Sequence, residues 1–150
     1  MRALALGAVV GLWGLTACSG AAPGGVSTPE RPQPVIDSDF PDPHIVRDGS
    51  WWYAFATGVV GVTNLQVARS RDLRRWELLG EALPERPDWQ PLEAGLTWAP
   101  EVLPAGGRWV MHYTARDADS GLQCLSTAVA DSPEGPYIDD STGPLVCQRR

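Results

Sequence analysis

The sequence contains no lysine, so all 12 of its basic residues are arginines, and 18 acidic residues give it a formal charge of −6. Its basic residues never run for more than two consecutive positions, as at Arg74-Arg75 and Arg149-Arg150. Nucleic acids and anionic membrane surfaces are bound through concentrated positive charge. The composition therefore argues against both as partners of this protein.

The sequence has little that would support a bundle of helices. Sixteen glycines and fourteen prolines together make up 30 of its 150 residues, and both residue types destabilise helix interiors. Seven tryptophans are many for this length, and tryptophan either packs a core or offers a flat stacking surface. A chain of this size has room for one domain. We therefore expect a single β-rich domain.

No apolar run is long enough to cross a membrane, which takes about 20 residues. Residues 1–17 have one positive charge followed by about 14 apolar or small residues, the pattern of a secretory signal peptide. They end in Leu15-Thr16-Ala17-Cys18, which resembles the bacterial lipobox, whose cysteine is lipidated and becomes the mature N-terminus. An ordinary signal peptide with a coincidental cysteine is the alternative.

The segment that follows, residues 18–33, is rich in Gly, Ala, Ser and Pro. Such a composition cannot offset the entropic cost of ordering, so we predict a flexible tether. Together these segments predict a secreted, cell-surface lipoprotein that contacts the membrane through its N-terminal lipid only.

Cysteine and histidine are scarce. If Cys18 carries lipid, Cys124 and Cys147 remain as a pair in an oxidising compartment, where we expect a disulfide. Closing a loop of that length contributes about 3 kcal/mol. The two histidines, His44 and His112, show no metal-ligand spacing. We therefore predict neither a metal site nor a cofactor.

Short aromatic and β-branched runs alternate with turn residues from Asp42 onward. The first set of predicted strands is His44–Arg47, Trp51–Thr57, Leu65–Arg69 and Trp76–Leu79. The second set is Glu101–Leu103, Trp109–Ala115, Cys124–Ala130 and Tyr137–Ile138. Glycines between the first two strands of each set predict tight hairpin turns.

The two sets resemble each other. The strand from Trp52 to Thr57 recurs 57 residues later, from Trp109 to Thr114. Four strands in a unit of about 60 residues are typical of a β-propeller blade, and a propeller closes with four to eight blades. This chain has room for two, so we expect either a fragment or an assembly with other chains. Other all-β meanders remain an alternative.

Several motifs then occur in a specific order: Asp42-Pro43, the strand at 51–57, residues 68–76, residues 97–102 with the sequence Thr97-Trp98-Ala99-Pro100-Glu101-Val102, and residues 130–137. Together they make residues 34–150 resemble the N-terminal part of glycoside hydrolase family 43. The resemblance implies an all-β fold, a five-bladed β-propeller of which this chain covers the first two blades. Blade 1 would span about residues 34–96 and blade 2 about residues 97–150.

The resemblance also implies an activity, the inverting hydrolysis of arabinose- and xylose-containing plant polysaccharides. Asp42 matches the family's general base, and Trp98 matches an aromatic residue that binds the sugar. The alternatives are that Asp42-Pro43 only starts a turn and that Trp98 is a core residue. Because prolines flank Asp42 on both sides, we expect it to be extended.

Two further carboxylates that this mechanism needs, a general acid and an aspartate that tunes its pKa, have no counterpart in the sequence. Loss of the acid typically costs 10²–10⁴-fold in rate, so we expect the chain alone to be inactive. A non-catalytic carbohydrate-binding surface lipoprotein is the main alternative function. An invertase-like enzyme is a third, but the residues around Asp42 and Trp98 match family 43 better.

Overall fold

The computed structural model describes residues 33–91 and 96–148. The predicted signal peptide, the lipidation site Cys18 and the tether up to residue 32 lie outside the described residues. Residues 33–150 group into one unit. Within the described ranges, no helix has the length and apolar character needed to cross a membrane.

Eight strands form two antiparallel sheets of four, and each sheet follows chain order. The first sheet contains β1 (His44–Asp48), β2 (Trp51–Thr57), β3 (Leu65–Ser70) and β4 (Trp76–Glu81). The second contains β5 (Thr97–Ala105), β6 (Arg108–Arg116), β7 (Gln123–Ala130) and β8 (Val146–Cys147). Each sheet is a simple up-and-down meander, which is the topology of a propeller blade.

Glycines make the tight turn between the first two strands of each sheet. Asp48 pairs with Trp51, and Gly49 in the connecting turn has φ 55°. In the second sheet Gly106 and Gly107, with φ 60° and 80°, make the equivalent turn. Two-residue hairpin turns need positive φ because only then does their twist match that of the strands, and glycine adopts it without steric cost.

The predicted eighth strand, Tyr137–Ile138, is wrong. Ile138 makes only an isolated bridge with Val129, and the fourth strand of the second sheet is Val146–Cys147, paired with β7. After Ile138 the chain turns inward because Asp139 is buried and accepts hydrogen bonds from side chains of β6 and β7. That inward turn takes the chain off the sheet edge until residue 146.

Strand β5 is longer than the predicted Glu101–Leu103 because its two prolines do not end it. Pro100 lies in a register irregularity between Trp98 and Glu101, and Pro104 lies opposite Trp109. Prolines are tolerated in bulges and on edge strands, where no ladder needs their missing N–H. As the first strand of its sheet, β5 pairs on one side only.

The two sheets share one hydrophobic core. Phe55 and Leu65 from the first sheet and Met111 from the second are fully buried within a single cluster. Tyr137 joins them, and its ring meets the ring of Phe55 edge to face with centroids 5.9 Å apart. Its backbone N–H also donates to the carbonyl of Ala82 at 2.8 Å. The segment after β7 therefore closes the interface between the two sheets.

Candidate active site

Asp42 lies two residues before β1, exposed to solvent. Its φ is 52°, so the expectation of an extended backbone is wrong. The residue before a proline is disfavoured in the right-handed helical region, and aspartate is among the few residues that tolerate the left-handed region. Such a conformation persists only where the surroundings hold it.

A hydrogen bond from Thr57, the last residue of β2, holds the Asp42 side chain. The Thr57 hydroxyl donates to Oδ2 of Asp42 at 2.9 Å. The Thr57 backbone N–H also donates to the carbonyl of Pro41 at 3.1 Å. Asp42 is thereby fixed at both its side chain and the peptide that precedes it.

Gln66 on β3 anchors the start of this loop. Its side-chain amide donates to the carbonyl of Asp39 at 2.9 Å and to the carbonyl of Thr57 at 2.8 Å. The Gln66 amide thus connects the loop that precedes Asp42 to the end of β2, where Thr57 holds the Asp42 carboxylate.

The second sheet repeats this local geometry without the carboxylate. Ala99, 57 residues after Asp42, also precedes a proline and also has a left-handed backbone, with φ 49°. It lies in the irregular stretch of β5 that follows Trp98. Of these two equivalent positions, only that in the first sheet can accept a proton.

Trp98 lies beside this position with 38% of its surface exposed. Its backbone is paired with Thr114 on β6. The indole of Trp98 is therefore a partly exposed aromatic surface, in contrast to buried core residues such as Tyr113.

The structure brings Asp42 and the Trp98–Ala99 segment together. The Thr57 hydroxyl accepts a hydrogen bond from the N–H of Ala99 at 3.0 Å while donating to Asp42. A backbone bond from Gly58 to the carbonyl of Thr97, at 3.1 Å, joins the same two strand ends. The two residues singled out from sequence thus lie at one end of adjacent sheets.

The sequence argument missed Thr57. A usable signal was present, because the hairpin register pairs His44 with Phe55. Extending that register by two residues places Asp42 opposite Thr57. The hydrogen bond from Ala99 had no comparable signal, since it joins residues of different sheets.

The first strands of the two sheets, β1 and β5, are also joined by a hydrogen bond from a side chain to the backbone. The Nε2 atom of His44 lies 3.0 Å from the carbonyl oxygen of Val102, so this histidine is engaged in holding the sheets together. Glu101 is exposed on β5. Across residues 33–91 and 96–148, no three His, Cys, Asp or Glu side chains group in a way that would hold a metal ion.

The cysteine pair lies on the last two strands of the second sheet, with β6 between it and the strand of Trp98. Cys124 on β7 and Cys147 on β8 form a disulfide, and the two residues are paired in the sheet register. The disulfide joins the outermost strand, only two residues long, to its neighbour. The disulfide therefore has a structural role, which is to hold this short strand on the sheet.

The arrangement offers two chemical capacities. An exposed carboxylate with one oxygen held by a hydroxyl can accept a proton from a water molecule at the other oxygen. The partly exposed indole of Trp98, in the segment that Thr57 joins to Asp42, offers an apolar face of the kind on which a sugar ring stacks.

Comparison with known proteins matches this chain to one family. The family model for glycosyl hydrolases family 43 matches residues 31–146. An extracellular endo-α-(1→5)-L-arabinanase of Thermotoga petrophila is 33% identical over 111 residues, covering 64% of this chain and 22% of that protein. A non-reducing end α-L-arabinofuranosidase of Bacteroides ovatus is 32% identical over 111 residues, covering 71% of this chain and 21% of that protein.

Among solved structures, a thermostable family-43 glycoside hydrolase superposes with a TM-score of 0.56 at 34% identity, covering 64% of this chain and 30% of that one. The solved relatives are five-bladed propellers, and this chain covers about two blades. The predicted all-β fold with two four-stranded blades is thus confirmed. The chain spans about a fifth of the length of the curated relatives it matches.

Proposed function

Since this chain belongs to glycosyl hydrolase family 43, we propose that it carries the general base of an inverting glycosidase. Asp42 is that base, and Trp98 binds the sugar ring next to it. The substrates are arabinose- or xylose-containing polysaccharides or the oligosaccharides derived from them.

The geometry of Asp42 carries this proposal. In inversion the base takes a proton from a water molecule, whose oxygen attacks the anomeric carbon as a general acid protonates the leaving oxygen. The base must therefore be ionised, open to water and held in one orientation. Asp42 is exposed, has a constrained backbone, and receives a hydrogen bond from Thr57 at one carboxylate oxygen.

The substrate class is supported by the relatives, which are named as an arabinanase and an arabinofuranosidase. Trp98 adds a physical reason, because its exposed indole suits the apolar face of a pentose ring. Arabinan and xylan both fit this description, so both polymers belong in the first assays.

The general acid and the carboxylate that tunes it are supplied by other blades of the propeller. Base and acid in inverting enzymes stand about 6.5–9.5 Å apart, leaving room for the water between them and the sugar. We therefore expect the 150-residue chain alone to lack meaningful hydrolase activity. Below, "completed propeller" means this chain continued through the remaining blades, by its own coding sequence or by that of a relative.

The test is Asp42→Asn in the completed propeller, assayed on arabinan and xylan oligosaccharides. We expect turnover to fall by about 10²–10⁴-fold, because an amide cannot take the proton from water. Binding of oligosaccharide should be retained. Turnover close to that of the unmodified enzyme would refute the assignment of Asp42.

Asp48→Asn is the matched control. Asp48 ends β1, at the opposite end of the strand from Asp42, and is also exposed. Asparagine before Gly49 preserves the hairpin turn. This variant should keep the activity of the unmodified enzyme.

The second candidate, a non-catalytic carbohydrate-binding lipoprotein, is favoured by one observation, the exposure of Trp98 in the chain as it stands. It requires the chain itself to bind sugar. Affinity electrophoresis of the 150-residue chain in gels containing arabinan or xylan distinguishes the two proposals. Retardation that depends on Trp98 favours the binding module, and its absence favours the enzyme.

A secreted location is also proposed for this chain. The arabinanase relative is named as extracellular, and the sequence Leu15-Thr16-Ala17-Cys18 supports lipid attachment at Cys18. The sugar site would then lie at the cell surface, tethered to the membrane.

A further inference from the structure

We propose that Thr57 is a positioning residue that fixes which oxygen of Asp42 acts as the base and ties it to the strand that presents Trp98. This inference rests on the proposed function, because it assigns Thr57 a role in the same reaction. Thr57 itself need not contact substrate.

The two hydrogen bonds of the Thr57 hydroxyl have a fixed direction. The backbone N–H of Ala99 can only donate, so the hydroxyl oxygen is the acceptor of that 3.0 Å bond. An ionised carboxylate can only accept, so the single hydroxyl proton goes to Asp42, at 2.9 Å. The Ala99 amide therefore fixes the orientation of the Thr57 hydroxyl toward the carboxylate.

The hydrogen bond from Thr57 determines which oxygen of Asp42 is available for the reaction. Among the described residues, the hydrogen bond from Thr57 is the one that reaches the Asp42 carboxylate, and it ends on Oδ2. Oδ1 is then the oxygen available to accept a proton from the attacking water. A carboxylate without the Thr57 hydroxyl would rotate more freely, and less of its population would present an oxygen in the productive direction.

Both residues that the Thr57 hydroxyl contacts have a strained backbone. Three non-glycine residues of the described ranges have a left-handed backbone, namely Asp42, Ala99 and Leu73. Left-handed backbones at non-glycine residues need support from their surroundings. The Thr57 hydroxyl contacts both Asp42 and Ala99, so one group stabilises two strained positions in adjacent blades.

The end of β2 is also coupled to Trp98 through the residues on either side of it. The N–H of Ala99 belongs to the residue directly after Trp98, and Gly58, directly after Thr57, bonds the carbonyl of Thr97. The end of β2 is therefore attached on both sides of Trp98. A shift of this strand end would therefore move Asp42 and the indole of Trp98 together.

The experiment uses Thr57→Val and Thr57→Ser in the completed propeller, with Asp42→Asn as reference. Valine keeps the branched shape and removes the hydroxyl, whereas serine keeps the hydroxyl. A hydrogen bond to a charged group is strong enough that its loss should lower kcat by about 10- to 100-fold in Thr57→Val. KM should change by less than about threefold, and Thr57→Ser should recover most of kcat.

Amide hydrogen exchange on the 150-residue chain supplies a second readout that does not depend on turnover. The amide of Ala99 should exchange faster in Thr57→Val than in the unmodified chain, and Thr57→Ser should restore its protection, because only the serine hydroxyl can accept its hydrogen bond. Thr57→Ala replaces Thr57→Val in both measurements if valine prevents folding. Thr127→Val, at a half-buried threonine of β7, controls for the substitution itself and should leave kcat unchanged.

The outcomes separate this inference from the proposed function. Unchanged kcat in Thr57→Val, or equal losses in the valine and serine variants, overturns the positioning role while a dead Asp42→Asn keeps Asp42 as the base. An active Asp42→Asn overturns both. Loss of kcat together with unchanged exchange at Ala99 overturns the coupling to the second blade.

Discussion

The hydroxyl of Tyr113 donates a hydrogen bond of 2.6 Å to Oδ2 of Asp139 inside the protein. Tyr113 is fully buried on β6, and Asp139, in the segment that leaves the second sheet, is 7% exposed. The same carboxylate oxygen accepts a 2.6 Å bond from Ser126 on β7. Burial, together with the hydrogen bond to Asp139, raises the pKa of Tyr113 well above its usual range.

This polar cluster also reaches the connection between the two blades. The side-chain amide of Gln90 donates to the Tyr113 hydroxyl at 2.9 Å, and the indole N–H of Trp89 donates to the Ser141 hydroxyl at 3.0 Å. Both Gln90 and Trp89 lie in the segment between β4 and β5. The cluster therefore fastens the inter-blade connection to the turn that follows β7.

Tyr113→Phe is expected to destabilise the protein by about 1–3 kcal/mol, because it removes one donor from a buried carboxylate and the acceptor of Gln90. Tyr137→Phe is the matched comparison. Its hydroxyl, also buried, donates only to the carbonyl of Pro133 at 2.9 Å, so a loss of about 1 kcal/mol is expected. Urea unfolding of both variants measures the difference. An equal or smaller loss for Tyr113→Phe would show that the cluster contributes nothing beyond one ordinary hydrogen bond.

Trp98→Ala in the completed propeller should raise KM for oligosaccharide by about tenfold or more, since removing an aromatic contact of this size is worth about 1.5–3 kcal/mol. The KM of Trp98→Phe should lie between the values of the unmodified enzyme and of Trp98→Ala, because a smaller aromatic face remains. Fold stability should fall less than for a fully buried tryptophan, because 38% of the residue's surface is exposed. Steady-state kinetics, with thermal unfolding measured in parallel, distinguishes a sugar-binding role of Trp98 from a packing role. Unchanged KM together with a large loss of stability would identify Trp98 as a packing residue.

Cys18 is expected to carry lipid when the chain is expressed in a bacterium with lipoprotein processing. Growth with an alkyne-bearing fatty acid, followed by coupling to a dye, should label the unmodified protein and leave Cys18→Ser unlabelled. Cys18→Ser should also appear in the soluble extracellular or periplasmic fraction. Labelling that persists in Cys18→Ser would exclude this cysteine as the attachment site, and no labelling of either protein would point to an ordinary signal peptide.

Most of the strand positions followed from local pattern. The strand at 51–57 is found with its predicted bounds, because a short, continuous apolar and aromatic run between turn residues is typical of a strand buried on both faces. The failure at Tyr137–Ile138 has a different origin. These residues look like a strand locally, but Tyr137 is drawn into the core beside Phe55 and Asp139 into the polar cluster, and neither partner is near in sequence.

The sequence by itself determined seven of the eight strands, the hairpin turns and the family, since these depend on residue pattern, glycine at turns and motifs of adjacent residues. It also singled out Asp42 and Trp98. Only the tertiary structure decided how Asp42 is held, because the hydroxyl that orients it also accepts the amide of Ala99 from the neighbouring sheet. The hydrogen bond between Ala99 and Thr57 joins residues 42 positions apart, and such a contact leaves no local pattern in the chain.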